Sequence, residues 1–416
     1  MLPGILKKLH GDEMLRHGSV MFTASMVTHL LNYLYQVTMG RMLGPEEYGI
    51  FGALFAIFYM SSVVSQTIAT STTSFISSLK ATGKSTGAFI SGALRRSGML
   101  GVAIGAGVLA GSGVLSRLLR VPLEDMRMLA LILLLTFLLP VPWGVLRGMK
   151  RFIAVGTLNI ISAGTKLGMG ALLVWLGYGV TGALAGTALG LLLALLAGMV
   201  LISPHMKGSG GGFSFTSFYT YSLPVLVAMV CFSVPANLDV VLAKYFFSAK
   251  EAGLYTSASV LGKISFFFPS AIYAVMFPMI AEAHARGEST AGVLLRCLRY
   301  ALVLSGGVVA FYWAFPGVVV AVFGSSYAPA LPLVLPYSVT MLLFSVSAIL
   351  LNYHLAIRNT RYVLLFSGFT LLEVILLLLF HATPLQMVQL MLGVNLALAA
   401  CSLVYTLRVV HGQERA

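Results

Sequence analysis

The stretch His29–Gly52, HLLNYLYQVTMGRMLGPEEYGIFG, holds the end of one apolar segment, a short charged turn and the start of the next. His29, Asn32, Tyr33, Gln36 and Gly40 recur at helical spacing and share one face. That face is polar within a run otherwise suited to lipid, so it is expected to point at other helices or at water. Arg41, Gly44, Pro45, Glu46, Glu47 and Gly49 follow in quick succession. Gly-Pro stops the first helix, and the two glutamates suit the first turn of the next, where the helix dipole favours negative charge.

The same turn occurs twice. VTMGRMLGPEEYGIFGA (Val37–Ala53) can be laid over VVLAKYFFSAKEAGLYTSA (Val240–Ala258) with a single insertion. Arg41 then stands opposite Lys244, Glu47 opposite Glu251, Gly49 opposite Gly253 and Phe51 opposite Tyr255. Both copies lie between the first and second apolar segments of a half-chain. Internal repeats of this kind are common in transporters, with the substrate site at the interface between the repeats.

Composition decides the class. The 416 residues are 58% hydrophobic and only 9% charged, with a mean hydropathy of +0.95. Soluble domains carry about 25% charged residues. This chain has too little polar surface to cover itself in water and reads as an all-α polytopic membrane protein. The net charge of +14 would suggest nucleic acid for a soluble protein. In a membrane protein basic residues gather on the cytoplasmic side whatever the function, so no nucleic-acid partner is expected. Cys231, Cys297 and Cys401 are odd in number and far apart, which makes neither a disulfide framework nor a metal knuckle. No cofactor is called for. The apolar run after Ser19 is too long for a cleavable signal. Leu2, Ile5, Leu6 and Leu9, with Lys7 and Lys8, read either as a short interfacial helix or as a frayed tail.

Segments of about 20 apolar residues, enough to span a bilayer, fall near 19–40, 49–73, 97–116, 127–146, 153–176 and 179–202. A second set falls near 219–243, 253–280, 296–323, 331–356, 362–381 and 385–408. About 12 transmembrane helices in two six-helix lobes are therefore expected: residues 1–203, a Gly/Ser-rich cytoplasmic linker at 204–217, and residues 218–416. With the N-terminus inside, basic residues divide about three to one in favour of the cytoplasm, and both termini are placed there. An even number of helices per half makes the halves parallel repeats about the membrane normal.

A charge in hydrocarbon costs about 2.5–3.5 kcal/mol even on the insertion scale, so charges within spans are informative. Lys166 shares a polar stripe with Asn159, Ser162 and Gly170. Lys263 shares one with Ser259, Phe266, Ser270 and Tyr273, and the seventh segment aligns Ser233, Asn237 and Lys244, with Asp239 off that line. The simplest arrangement turns these faces toward a central hydrated cavity between the lobes. Lys166 is expected to face a ligand. Asp239 is read either as an ion-coupling residue or as half of a buried structural pair with Lys263. Glu373, alone in LLEVILLLLF, is read as structural or snorkelling, with ion coupling as the alternative. His29 and His354 are expected to be hydrogen-bonded interior histidines. Pro140, Pro142, Pro224, Pro235, Pro269 and Pro278 sit where they would break or kink spans.

Taken together, GRMLGPEEYGIFG after the first helix, KEAGLY at the matching place of the second half, and twelve spans in two lobes resemble the polysaccharide-exporter branch of the multidrug/oligosaccharidyl-lipid/polysaccharide flippase superfamily, which includes the O-antigen flippases. The resemblance implies translocation of a polyprenyl-pyrophosphate-linked glycan from the inner to the outer leaflet, by alternating access around a cationic cavity. Arg41, Lys166, Lys244 and Lys263 would hold the pyrophosphate. Asn32, Gln36, Asn159 and Asn237 would hydrogen-bond sugars. Asp239 and Glu373 are the ion-coupling candidates. Membrane lipid, and glycosyltransferases or a polymerase of the same pathway, are the partners it points to.

The nearest rival is a multidrug or cation antiporter of the same superfamily. That activity would want a carboxylate in the first helix, where His29, Asn32 and Gln36 stand instead. A membrane-embedded glycan polymerase or ligase would need a large outer loop or an acidic cluster at catalytic spacing, and neither is present. The protein is therefore not expected to be an enzyme.

Overall fold

The first break in the chain falls at Gly44-Pro45. In the computed structural model, which describes residues 13–83, 85–206, 215–286, 288–357, 359 and 361–414, Gly44 has φ +72° and ψ 173°. That backbone is open to glycine and strained for a side chain. It divides helix α1 (Glu13–Ala81) into two arms, and the ring of Pro45 opens the second.

The chain continues as α2 (Gly87–Ala110), α3 (Ser112–Leu119), α4 (Leu123–Leu138), α5 (Pro140–Gly148), α6 (Phe152–Leu173) and α7 (Gly179–Ile202). The second half holds α8 (Thr216–Phe246), α9 (Ala249–Gly262), α10 (Ile264–Phe267), α11 (Ser270–Ala285), α12 (Ala291–Ala314), α13 (Val318–Phe323), α14 (Leu331–Ala356), α15 (Arg361–Leu379) and α16 (Pro384–Glu414). Among the described residues nine helical stretches are long and apolar enough to cross a membrane. Two of them, Thr23–Ala81 with 59 residues and Phe152–His205 with 54, have length for two passes each. Gly44 breaks the first, and Gly177, at φ +92°, breaks the second. The expected span at 253–280 is covered by α9, α10 and α11 in series. The protein is a multi-pass, all-helical membrane protein.

Two spans differ from expectation. The third begins at Gly87 rather than near 97, and the ninth runs from Ala291 to Ala314 rather than 296–323. Both helices start with polar turns carrying Arg95 and Arg96, or Arg296 and Arg299. Hydropathy does not count such turns, although an interfacial helix accommodates them. Of the prolines, Pro140 opens α5 and Pro269 separates α10 from α11, whereas α8 runs unbroken past Pro235. The amino-terminal residues 2–9 and the linker residues 207–214 lie outside the described residues.

The chain forms two compact units: Met1–Leu43 with Ile57–Met229, and Gly44–Ala56 with Val230–Ala416. The second thus contains Gly44–Ala53 of the first copy together with the second copy, and there the two pack on each other. A Cβ added to Gly253 would strike the carbonyl of Pro45, and one added to Gly49 would strike the carbonyl of Ala249. Glycine at both positions lets the two helix starts meet backbone to backbone. Ser248 caps α9 in a reciprocal capping box with Glu251. Tyr48, Phe51, Phe323 and Tyr327 stack around the crossing, and all four are buried.

The discontinuity at Lys263 is also satisfied internally. The Tyr312 hydroxyl donates to the Leu261 carbonyl at 2.9 Å, and Ser305 donates to the Ser265 carbonyl at 2.7 Å. Broken helix carbonyls at membrane depth need such donors, because lipid offers none.

Candidate functional site

In the first unit the candidate site is built by α6 and α7 against the first arm of α1. A Cβ on Gly190 would lie 2.5 Å from the Ser162 carbonyl, and one on Gly186 would meet the backbone of Gly170. This close approach fixes one side of α6. Lys166, 8% exposed, donates from Nζ to the Oδ1 of Asn32. Its ammonium also lies 4.8 Å from the centre of the Tyr35 ring, a cation–π arrangement worth about 0.5–2 kcal/mol. Tyr35 is fully buried and held at its other end, donating to the Ala183 carbonyl at 2.7 Å with Thr187 Oγ1 at 3.2 Å.

The structure therefore joins two residues that the sequence placed on separate stripes, Asn32 and Lys166, through a tyrosine that the sequence did not single out. Gln36, one turn on from Asn32, donates to the Tyr59 hydroxyl at 3.5 Å. Asn159 accepts from the Trp143 indole at 2.7 Å, two turns from Lys166 along α6. Arg41 is exposed, and so is His29, which corrects its reading as an interior histidine. An exposed flank of a polar face needs no internal partner.

The second unit carries the acidic counterpart. Asp239, 1% exposed, accepts at Oδ2 from the Tyr255 hydroxyl at 3.0 Å and the Tyr337 hydroxyl at 2.6 Å. Tyr337 in turn accepts from Ser259 at 2.9 Å. Glu373, 4% exposed, accepts from Asn395 Nδ2 at 2.9 Å. The Tyr255 hydroxyl also lies 3.3 Å from the sulfur of Met391, one turn before Asn395, so both carboxylates belong to one cluster. Asp239 Oδ1 and Asn395 Oδ1 are buried there and have no hydrogen-bond partner among the described residues.

Two expectations are corrected here. Asp239 and Lys263 make no direct ion pair, although the Asp239 charge acts on Lys263; tyrosine hydroxyls take one carboxylate oxygen. Nor does Glu373 snorkel, since it is enclosed with Asn395. Lys244 is 1% exposed, and Asn237 bonds back to the Ser233 carbonyl at 3.0 Å. His354 is an interior histidine as expected, bonded to Thr406 at 2.9 Å. The sequence reading missed Tyr255, Tyr337 and Asn395. Asn395, isolated in the apolar run MLGVNLALAA, carried the same signal that drew attention to Glu373. The tyrosines carried none, because an aromatic residue in a span is ordinary.

A hydrogen bond to a charged group contributes about 1.5–3 kcal/mol. Tyr337→Phe is therefore expected to lower stability by about 2 kcal/mol, and Tyr255→Phe with Tyr337→Phe by more than either alone. Thermal unfolding of the purified variants in detergent checks this. A double variant with an unshifted midpoint would show that the carboxylate does not depend on these hydroxyls.

In each of the two units, helices able to cross a membrane enclose polar and charged side chains. The fold is similar to that of a multidrug resistance MATE family transporter of the MOP superfamily in an inward-facing conformation, with a TM-score of 0.80 and 16% identity over 95% of this chain and 99% of that one. It is similar to the lipid II flippase MurJ in an inward closed conformation, with a TM-score of 0.78 and 14% identity over 93% of this chain and 87% of that one. It also resembles a MOP superfamily transporter from Pyrococcus furiosus Vc1, whose binding pocket is described as having reverse polarity, with a TM-score of 0.69 and 17% identity over 96% of each chain. No match was found among curated proteins. The chain belongs to the polysaccharide biosynthesis protein family, whose model matches residues 14–284.

Proposed function

We propose that the protein is a flippase carrying a polyprenyl-(pyro)phosphate-linked oligosaccharide from the inner to the outer leaflet by alternating access of its two lobes, for cell-surface polysaccharide or glycoprotein biosynthesis. The observation that carries this reading is the charge buried in the first unit. It is a lysine, Lys166, held by an amide and an aromatic face. A fixed interior cation suits a pyrophosphate head group, and it disfavours a cationic drug at the same place. Arg41 in the first unit, and Lys244 and Lys263 in the second, are further head-group candidates, and Asn32, Gln36, Asn159 and Asn237 are candidates for hydrogen bonds to sugars. An inside-negative potential assists export of an anion by about 2.3 kcal/mol per charge per 100 mV. The membrane is the cytoplasmic membrane, with both termini inside. Glycosyltransferases or a polymerase of the same pathway are the proposed protein partners.

Deleting the gene is expected to make lipid-linked oligosaccharide accumulate on the cytoplasmic leaflet. A deletion that changed only drug sensitivity would favour the second reading, a multidrug or cation antiporter. The likeness to MATE transporters and the buried carboxylates of the second unit support that alternative.

Asp239 and Glu373 are assigned to ion coupling: among the described residues Asp239 Oδ1 and Asn395 Oδ1 have no hydrogen-bond partner. The first could take a cation or a proton, while the second, an amide oxygen, could help to ligate a cation. Asp239→Asn is expected to remove the response of transport to an imposed sodium or proton gradient, while the protein remains folded. Retention of the full gradient response by this variant would withdraw the assignment.

A further inference from the structure

One end of the first unit gathers cations that the transport site does not use. The apolar cluster beneath it contains Ile76 of α1, Phe89 of α2, Val145 of α5, Val155 of α6, Ile202 of α7 and Phe218 of α8, so the ends of six helices meet there. Gly148 seats α5 on α1: a Cβ would lie 2.7 Å from that of Ile76, and Ser77 donates to the Gly148 carbonyl at 3.3 Å. The chain then turns through Lys150 in the left-handed region, φ +58°, and Arg151 N bonds the Leu146 carbonyl at 2.8 Å. This turn packs Arg147, Lys150 and Arg151 into five residues. Lys80, at the end of α1, and Arg151 both lie near enough to His205, at the end of the α7 stretch, for their charges to act on it.

Three further observations point to an anion as the ligand of this end. Arg147 Nε and His205 Nε2 are buried atoms with no hydrogen-bond partner among the described residues. Arg151 stands at the N-cap of α6, a 22-residue helix whose first turn receives no side-chain cap, and such a terminus favours negative charge. The only described acidic side chains of this unit, Glu124 and Asp125, begin α4. They stand on the order of 35 Å of helix away. Arg96 differs from the others, because its guanidinium is already occupied, 3.9 Å above the Phe215 ring and bonded to the Tyr219 hydroxyl at 3.2 Å.

We infer that Lys80, Arg147, Arg151 and His205 form a binding site for the phosphate head group of an anionic membrane phospholipid, at the end of the unit that the basic-residue excess assigns to the cytoplasmic leaflet. The site lies apart from Lys166 and is not part of the proposed translocation path. Its occupant clamps the ends of α1, α5, α6 and α7 together.

The test uses the full-length protein in detergent and native mass spectrometry, with phosphatidylglycerol, phosphatidylcholine and inorganic phosphate as separate probes. The wild type is expected to retain phosphatidylglycerol in preference to phosphatidylcholine. Lys80→Gln with Arg147→Gln and Arg151→Gln is expected to lower that retention by about tenfold or more. A control removing three exposed cations of the second unit, Arg296→Gln, Arg299→Gln and Arg361→Gln, is expected to keep it. Equal loss in both variants, or no loss in the first, would overturn the site in favour of diffuse surface charge. Equal thermal stabilisation by inorganic phosphate without lipid would reassign it to a solute anion and overturn the lipid reading. If the triple variant does not fold, Arg151→Gln alone serves: its side chain is exposed, and unchanged lipid retention by it would count against the proposal.

Discussion

Gly253→Ala is expected to cost at least about 3 kcal/mol and to leave little folded protein. The added methyl would overlap the Pro45 carbonyl oxygen, and the nearest groups behind it are also backbone, the Pro45 carbonyl carbon at 2.7 Å and Gly49 N at 3.1 Å. Overpacking that a side chain can relieve costs about 1–3 kcal/mol. Here no flexible side chain can move aside, and two helix starts must separate. Gly49→Ala faces the Ala249 carbonyl and Gly253 N and is expected to behave alike. The sign of the effect is diagnostic, because alanine is favoured over glycine within a helix by about 1 kcal/mol. Gly368→Ala and Gly393→Ala, which meet nothing within 4 Å, are expected to leave stability unchanged or raised. Thermal unfolding of the four variants in one detergent checks the contrast. Equal midpoints for Gly253→Ala and Gly393→Ala would show that the crossing is looser than described.

Lys166→Met is expected to reduce translocation by about tenfold or more, with folded protein retained. Methionine keeps the length and apolar stem of lysine and fills the space beside Tyr35, so packing changes little. It also removes a charge whose burial in hydrocarbon costs about 2.5–3.5 kcal/mol, and stability is accordingly unchanged or higher. Transport falls because the head group loses a cation fixed in place before it binds. Lys166→Arg separates charge from geometry. It keeps the charge but brings a larger planar group to the Asn32 carbonyl, and partial activity is expected. The measurement is the outer-leaflet appearance of lipid-linked oligosaccharide in cells expressing each variant at equal level. Full transport by Lys166→Met would remove this lysine from the substrate path. Lys263→Ala is expected to reduce transport more weakly, since Lys263 sits at a helix break and is only partly buried.

The helices were legible because each obeys a local rule. Gly44-Pro45 ends an arm of α1 by backbone geometry alone. The spans at 153–176 and 179–202 reappear as α6 and α7 because a run of apolar residues in lipid has no alternative to satisfying its own backbone. Lys166, Asp239 and Glu373 were visible for a related reason: a charge within such a run is costly enough to be noticed in isolation. Their partners were not. Nothing local tells Tyr35 to lie under the Lys166 ammonium, Tyr255 and Tyr337 to converge on one oxygen of Asp239, or Asn395 to meet Glu373. Those residues approach from helices distant in sequence, and helix contacts in lipid depend on surface shape rather than on hydropathy.

The sequence by itself determined that the chain crosses the membrane many times, that its first helix breaks at Gly44-Pro45, which charges lie within the spans, and that one turn occurs twice. All of these follow from the cost of exposing backbone or charge to hydrocarbon, a cost each segment bears alone. Only the tertiary structure decided that the two copies of the turn pack on each other through Gly49 and Gly253. It likewise decided that Lys166 is held by Asn32 and Tyr35, and that the two carboxylates of the second unit share one polar cluster. Those outcomes depend on which backbones can approach without a side chain between them, and that is a property of pairs of helices.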